Sequence, residues 1–339
     1  RQNTRLFNVL DRNIPESDYD DEAERFQTVI DGKAARHLLN ITEQAGILAA
    51  DLLDCKPLAR YRGRREQARW ELKNITETVG ALQNHNELVY WLEKPPAHRG
   101  GEAGQTALCA IPKKLNDMLA ADLWSRGVPI ILTSGTLSAS GDFTHIKRTL
   151  GLDRLPPHRL METSKPSPFN HRENALLYIS ESVPFPDIRD KGYITAVAEE
   201  VKRLVTASHG HAAVLFTSYK AMDMVYELLD DENLPVPLLR LDRGGASAID
   251  RFRESKNGVL FASGALWEGI YLPGDILSMP IIVKLPFAVP DPIRAYEQTL
   301  YSSTEKYIRR VGVPKTMITL KQGVGRLRRC ANDTGCVAL

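Results

Sequence analysis

The 339-residue chain is short of several things, and each shortage removes a class of explanation. Its four cysteines, Cys55, Cys109, Cys330 and Cys336, are scattered with no C-x-x-C pair, so neither a disulfide framework nor a zinc or iron–sulfur site has its ligand spacing. Four reduced thiols are expected instead. No apolar run approaches the ~18 residues of a membrane span, and no basic-then-apolar leader opens the chain. Charge of either sign is not in excess: the net charge is +2, so any grip on a polyanion must come from local basic stripes. Internal repeats and low-complexity tracts are missing too. The first residue is Arg1 and the last four are the apolar CVAL run, so both ends read as cuts through a longer protein.

What is present falls into two textures. Over 1–120 the apolar residues recur at helical spacing: Ile30, Ala34, Leu38, Ile41, Ala45, Leu48 and Leu52, then Leu72, Ile75, Val79 and Leu82. Between these stripes lies the basic turn RYRGRR at 60–65, with Trp70 shortly after. LVYWL at 88–92 and TALCAI at 106–111 are β candidates around a Pro/Gly-rich loop at 95–104. From about Val128 the pattern turns to α/β alternation. Strand candidates are IILT (130–133), LLYI (176–179), AAVLF (212–216), GVLFA (258–262), MPIIVK (279–284) and CVAL (336–339). Helices are expected at 193–207, 220–229, 249–254 and 292–311. Such alternation predicts a parallel sheet covered on both faces.

Four segments carry chemistry. QGVGRLRR at 322–329 fits Q-x-x-G-R-x-x-R; a helix start there would put Arg326 and Arg329 one turn apart, two planar guanidinium forks able to grip one phosphoryl group. Gly325 would let the backbone pass close to a neighbour. A lone R-x-x-R also serves as a solvated helix end, and the company it keeps decides between the two. FASGALWEGIYLPG at 261–274 is a buried strand ending in a small-residue turn, where α/β sheets bind ligands. LTSGTL (132–137) and LFTSY (215–219) are further strand ends bearing hydroxyls.

In order and spacing these segments resemble motifs III (LTSGTL), IV (LFTSY), V (WEGIYLPG with KLPF at 284–287) and VI (QGVGRLRR) of the DinG/XPD branch of superfamily 2 DNA helicases. SPFN at 167–170 also matches that family's entry to the second motor lobe, and the similarity covers roughly 110–339. The resemblance implies a RecA-like lobe two over 141–339, a motif III strand of lobe one over 128–140, and a mainly helical, arch-like insert over 1–127. It implies an ATP-dependent, 5′→3′ motor on single-stranded DNA and duplex junctions, monomeric and cytoplasmic, in replication, repair or mobile-element defence. By the same resemblance Arg326 and Arg329 would contact the γ-phosphate of ATP and Gln322 would sense the nucleotide beside Gly325. Glu268 and Gly269 would couple motif V to it, Ser263 and Ser218 would face the DNA backbone, and Thr136 would link nucleotide state to DNA grip. ATP and Mg²⁺ would be held mainly by lobe one, and no protein metal ligand is expected here.

The sequence departs from the family pattern in its own way. Tyr271 stands where motif V carries an Asp. That departure favours an alternative, a nucleic-acid-binding module whose ATPase has degenerated. No G-x-x-x-x-G-K-[ST] loop occurs; GGEAGQT at 100–106 comes nearest but lacks the lysine. DEAE at 21–24 imitates an acidic box yet follows no buried strand, and reads as an acidic helix start. Without the P-loop the 339 residues alone are expected to be inactive. The RYRGRR turn has the composition of a single-strand contact or of a solvated loop. His209-Gly-His211 reads as a helix–strand turn rather than a metal pair.

Overall fold

The computed structural model describes every residue except 1, 11, 13–23, 55–60, 85, 95–105, 139–140, 168–169, 242–245, 264–275 and 326–333. The chain forms two compact units: Arg1–Val128 with Thr149–Leu155 and Val289–Lys306, and Pro129–Arg148 with Pro156–Ala288 and Tyr307–Leu339. Two stretches past residue 141, 149–155 and 289–306, fold with the N-terminal unit.

In chain order the first elements are α1 (Gln2–Leu10), β1 (Glu24–Thr28), α2 (Gly32–Asp54), α3 (Arg62–Ala81), β2 (Leu88–Lys94), β3 (Ala107–Pro112), α4 (Leu115–Asp122) and α5 (Thr144–Leu150). They continue with α6 (His171–Asn174), β4 (Ala175–Tyr178), α7 (Lys191–Ala207), β5 (Ala212–Phe216), α8 (Tyr219–Asp230), β6 (Leu238–Arg240), α9 (Ala246–Glu254) and β7 (Val259–Ser263). The last are β8 (Met279–Ile282), α10 (Pro292–Thr299), α11 (Thr304–Tyr307), α12 (Val313–Val324) and β9 (Gly335–Ala338).

The first unit combines a helical hairpin with an antiparallel sheet of order β1-β2-β3. Cross-strand pairs Phe26↔Leu92↔Leu108 and Thr28↔Tyr90↔Ala110 share one face of that sheet. On it Tyr90 and Leu92 join Leu6 and Leu10 of α1 and Ala34 and Leu38 of α2 in one core. α2 begins where the Asp31 carboxylate accepts hydrogen bonds from the backbone N–H groups of Lys33 (2.9 Å) and Ala34 (2.8 Å). Farther along, the helical stripe is only half used: Leu48 is 52% exposed and α3 buries no residue at all. α1 and the sheet cover only the first part of α2, so the apolar residues farther along the hairpin stay exposed.

Two local expectations fail in this unit. Glu24 begins strand β1 rather than a helix, and residues 21–23 lie outside the described part. Arg62, Arg64 and Arg65 stand in the first turn of α3, not in a turn between helices. A close approach elsewhere needs glycine: a Cβ on Gly151 (φ 71°) would sit 2.0 Å from the Asn116 carbonyl oxygen.

The second unit is built on a six-stranded sheet of order β4-β9-β8-β5-β7-β6 in which every pairing is parallel. β5 and β7 are buried at all five positions each, which is why AAVLF and VLFA read as unbroken apolar runs. Alternate side chains go to opposite faces. Val214, Phe216, Val259 and Phe261 pack under α7 and α8, while Ala213, Leu215, Leu260 and Ala262 pack against Phe252 of α9 and Leu320 and Val324 of α12. Phe261 stacks on Phe216 (centroids 6.0 Å) and meets the edge of Tyr226 (5.4 Å). The α/β fold with helices on both faces is therefore as expected.

Two further expectations are corrected. IILT forms no strand: residues 129–134 have no ladder partner among the described residues, and Ile131 is 89% exposed. A strand exists only through its neighbours, and none of the strands of this unit pairs with it. The helix expected over 292–311 is broken into α10, α11 and a π-helical turn, Ile308–Gly312, that runs into α12. The edge strand β6 gave no sequence signal, being three residues long.

Candidate nucleotide-coupling and DNA-facing site

The parallel sheet sorts the candidate residues by edge. β5 and β7 run side by side with Phe216 opposite Ser263, so Ser263 ends its strand at the carboxyl edge. Ser218 lies two residues past β5 on the same edge. Ser263 is 3% exposed. Ser218 is the N-cap of α8, its hydroxyl accepting from the Ala221 backbone N–H at 3.3 Å. That bond fixes the start of α8 and commits part of the hydroxyl's capacity; the oxygen retains its own O–H to donate. Lys284, two residues beyond β8, is exposed at this edge too. With the backbone N–H and side chain of Arg189 it helps hold the Asp187 carboxyl below the usual carboxylate range, the Arg189 backbone N–H contributing most. Nothing in the KLPF segment itself marks Lys284 as a site residue; its exposure on the edge of Ser218 and Ser263 follows only from the strand order.

A second grouping joins the two ends of the motif series. After the unpaired 129–134 segment the chain turns at Gly135–Thr136, with Ser134 Oγ accepting from the Thr136 N–H at 3.1 Å. This turn meets the last turn of α12: the Gln322 amide donates to Thr136 Oγ1 at 3.5 Å, and the Lys321 ammonium donates to the Ser138 carbonyl at 3.2 Å. The residues bonded are 186 and 183 positions apart. α12 is held against the sheet by Leu320 and Val324, which sets where Gln322 points. The helix ends at Val324, with the Gly325 N–H donating to the Lys321 carbonyl at 2.8 Å. Gln322 therefore sits in the last turn of α12. Gly325 is needed for space, since a Cβ there would come within 2.9 Å of the Lys321 oxygen. Lys321 and Ser138 are contributors that motif matching does not reveal.

Among the described residues no hydrogen bond joins Ser218 or Ser263 to the Thr136–Gln322 pair. Arg326 and Arg329 of motif VI, and Glu268, Gly269 and Tyr271 of motif V, lie outside the described residues. His209 and His211 adopt left-handed backbone (φ 55° and 51°) around Gly210, in the turn from α7 to β5. A Cβ on Gly210 would lie 1.8 Å from the Asn257 carbonyl oxygen. Among the described residues no cluster of three or more His, Cys, Asp or Glu could hold a metal. Cys109 and Cys336 are free thiols, each pushed up in pKa by burial first of all. No helix of the described residues is long and apolar enough to cross a membrane.

Comparison with known proteins agrees with this picture. Residues 201–339 match the family described as the helicase C-terminal domain. Over 278 residues the chain is 30% identical to the ATP-dependent DNA helicase YoaA of Haemophilus influenzae, covering 81% of this chain and 40% of that protein. It is also 30% identical over 262 residues to the ATP-dependent helicase DinG of Mycobacterium tuberculosis, covering 76% of this chain and 38% of that one. The chain thus spans about two fifths of the length of these curated relatives. A solved structure titled XPD helicase superposes with a TM-score of 0.58 at 18% identity, over 99% of this chain and 56% of that one, a likeness of fold. Motifs, sheet and relatives converge: residues 201–339 belong to the helicase C-terminal domain family, in a chain similar to part of the YoaA and DinG helicases and like the XPD helicase in fold.

Proposed function

We propose that this chain supplies the second motor lobe of an ATP-dependent DNA helicase that moves 5′→3′ on single-stranded DNA and opens duplex at junctions. The observation that supports the reading best is the Gln322–Thr136 bond, which ties motif VI to motif III across the sequence. The proposed division of labour follows. ATP and Mg²⁺ are held mainly by the partner lobe with its P-loop. This chain presents Gln322 and Gly325 to the nucleotide, together with Glu268 and Gly269. Arg326 and Arg329 neutralise charge developing on the transferring phosphoryl group, a role that in related enzymes is worth about 10³–10⁵ in rate. Thr136 passes the state of that pocket to the DNA grip, where Ser263 and Ser218 at the carboxyl edge contact the strand backbone. The Gln322 amide and the serine and threonine hydroxyls suit a phosphate chain chemically, since both donate to anionic oxygens. The 339 residues alone do not hydrolyse ATP, because phosphoryl transfer also needs the P-loop and Mg²⁺ ligands. The working protein is a monomer in the cytoplasm.

The test is DNA-stimulated ATP hydrolysis in a protein that joins this chain to a P-loop lobe. Arg326→Ala or Arg329→Ala should reduce turnover by about 10³-fold or more. Rates within a few-fold of wild type would remove the arginine-finger assignment. Tyr271, replacing the motif V Asp, favours a second reading in which the chain binds DNA but its ATPase has decayed. Absence of any DNA-stimulated hydrolysis, with DNA binding intact, would select that reading.

A further inference from the structure

We infer that Lys321 is a positioning residue: its ammonium fixes the turn that carries Thr136, so that the Gln322 amide meets the Thr136 hydroxyl. Its part in turnover rests on the motor reading above; the placement of the turn does not. Lys321 stands immediately before the QGVGRLRR run, and Ser138, whose carbonyl it reaches, stands immediately after LTSGTL. Neither residue belongs to either motif. Both lie in the second compact unit.

The Gln322–Thr136 bond is 3.5 Å long, so by itself it holds the turn weakly. The Lys321 bond to the Ser138 carbonyl is shorter, 3.2 Å, and its donor is charged; such bonds are roughly twice as strong as neutral ones. Adjacent residues of α12 thus hold the turn at two points, 136 and 138. One point would let the turn swivel about the bond; two set its orientation as well. Within the turn, Ser134 Oγ lies 3.3 Å from Thr136 Oγ1 and accepts from the Thr136 N–H at 3.1 Å, so the Thr136 hydroxyl follows the direction of the turn. The second hold matters because the preceding segment supplies none: residues 129–134 pair with no strand among the described residues, and all of 129–135 are exposed. The acceptor is a backbone carbonyl, which any residue at 138 would offer, so the contact leaves no mark in the sequence. A lysine in the last turn of a helix has a simpler use, to offset the negative end of the helix dipole. That use asks for no partner outside α12, yet this ammonium donates to a carbonyl 183 positions away.

The placement is tested on the full chain by NMR, reading the exchange of the Thr136 N–H with water. Lys321→Met keeps the stem and removes the donors, and Lys321→Arg keeps a charged donor. Exchange at Thr136 should quicken about fivefold in Lys321→Met and stay within about twofold of wild type in Lys321→Arg, with the last turn of α12 unchanged. Turnover is tested in a protein joining this chain to a P-loop lobe. There Lys321→Met should lower DNA-stimulated kcat about fivefold with the KM for ATP within about twofold, and Lys321→Arg should recover most of the loss. In a Gln322→Ala background Lys321→Met should cause no further loss, because both changes act on one link. An unchanged Thr136 exchange rate in Lys321→Met overturns the inference, as does faster exchange confined to the last turn of α12, the mark of a helix-dipole role alone. Faster Thr136 exchange with unchanged kcat, or a loss that multiplies with that of Gln322→Ala, overturns the part in turnover. A wild-type protein without DNA-stimulated hydrolysis would sink the motor reading and that part with it, while the exchange rates still decide whether Lys321 places the turn.

Discussion

Removing the Gln322 amide separates a structural role from a coupling role by size of effect. The bond to Thr136 is 3.5 Å long, at the outer limit for a hydrogen bond, and both side chains are half-buried. A neutral bond of ordinary geometry contributes about 0.5–1.5 kcal/mol net, so this one stands at or below the low end. Gln322→Ala and Thr136→Val should each lower the thermal midpoint by no more than about 2 °C, as follows from ~2–4 °C per kcal/mol in a domain of this size. If the bond transmits nucleotide state, turnover should fall far more, by roughly tenfold, the middle of the range for coupling between sites. The two changes act on one link, so the double variant should lose about as much as either single one. The assay is DNA-stimulated ATP hydrolysis in a protein carrying both lobes, beside calorimetric melting of the same preparations. Rates within twofold of wild type, or losses that multiply in the double variant, would refute the reasoning.

Two further outcomes test other parts of the molecule. Glu200 is 7% exposed and accepts from Tyr178 (2.6 Å), Ser182 (3.0 Å) and Arg203 (2.5 Å). Burial alone would raise its pKa, but these hydrogen bonds outweigh that and hold it below the ordinary value. A depressed folded-state pKa stabilises above the unfolded value of ~4.3 and ceases to do so as pH falls through the folded one. Glu200→Gln should thus cost about 1–3 kcal/mol at pH 7 by urea unfolding, and the difference from wild type should shrink steadily below about pH 4.3; a constant difference would contradict it. On α3, Arg64→Glu with Arg65→Glu should weaken single-strand binding. The slope of log affinity against log salt should drop by about 0.7 for each phosphate no longer neutralised, and an unchanged slope would take this helix off the DNA path.

How much of the fold and site is legible in the sequence depends on how local the cause is. β5 and β7 are readable because a strand buried on both faces is apolar at every position. The His209-Gly-His211 turn is readable because a short break between helix and strand needs little context. β1 is not, since Phe26 is the one large apolar side chain in its five residues and pairing with β2 makes it a strand. IILT misleads for the opposite reason: its residues suit a strand, but no strand among the described residues accepts its backbone groups.

The amino-acid order by itself determined the four helicase motifs, the covered parallel sheet and the break in texture near Val128, because these follow from side-chain chemistry and short-range periodicity. Tertiary structure alone decided that 149–155 and 289–306 fold with the N-terminal unit, that Ser218 and Ser263 share one sheet edge, and that Gln322 reaches Thr136. Such contacts join residues tens to hundreds of positions apart. Only strand order and helix packing bring them together, and neither is written in any local run of the chain.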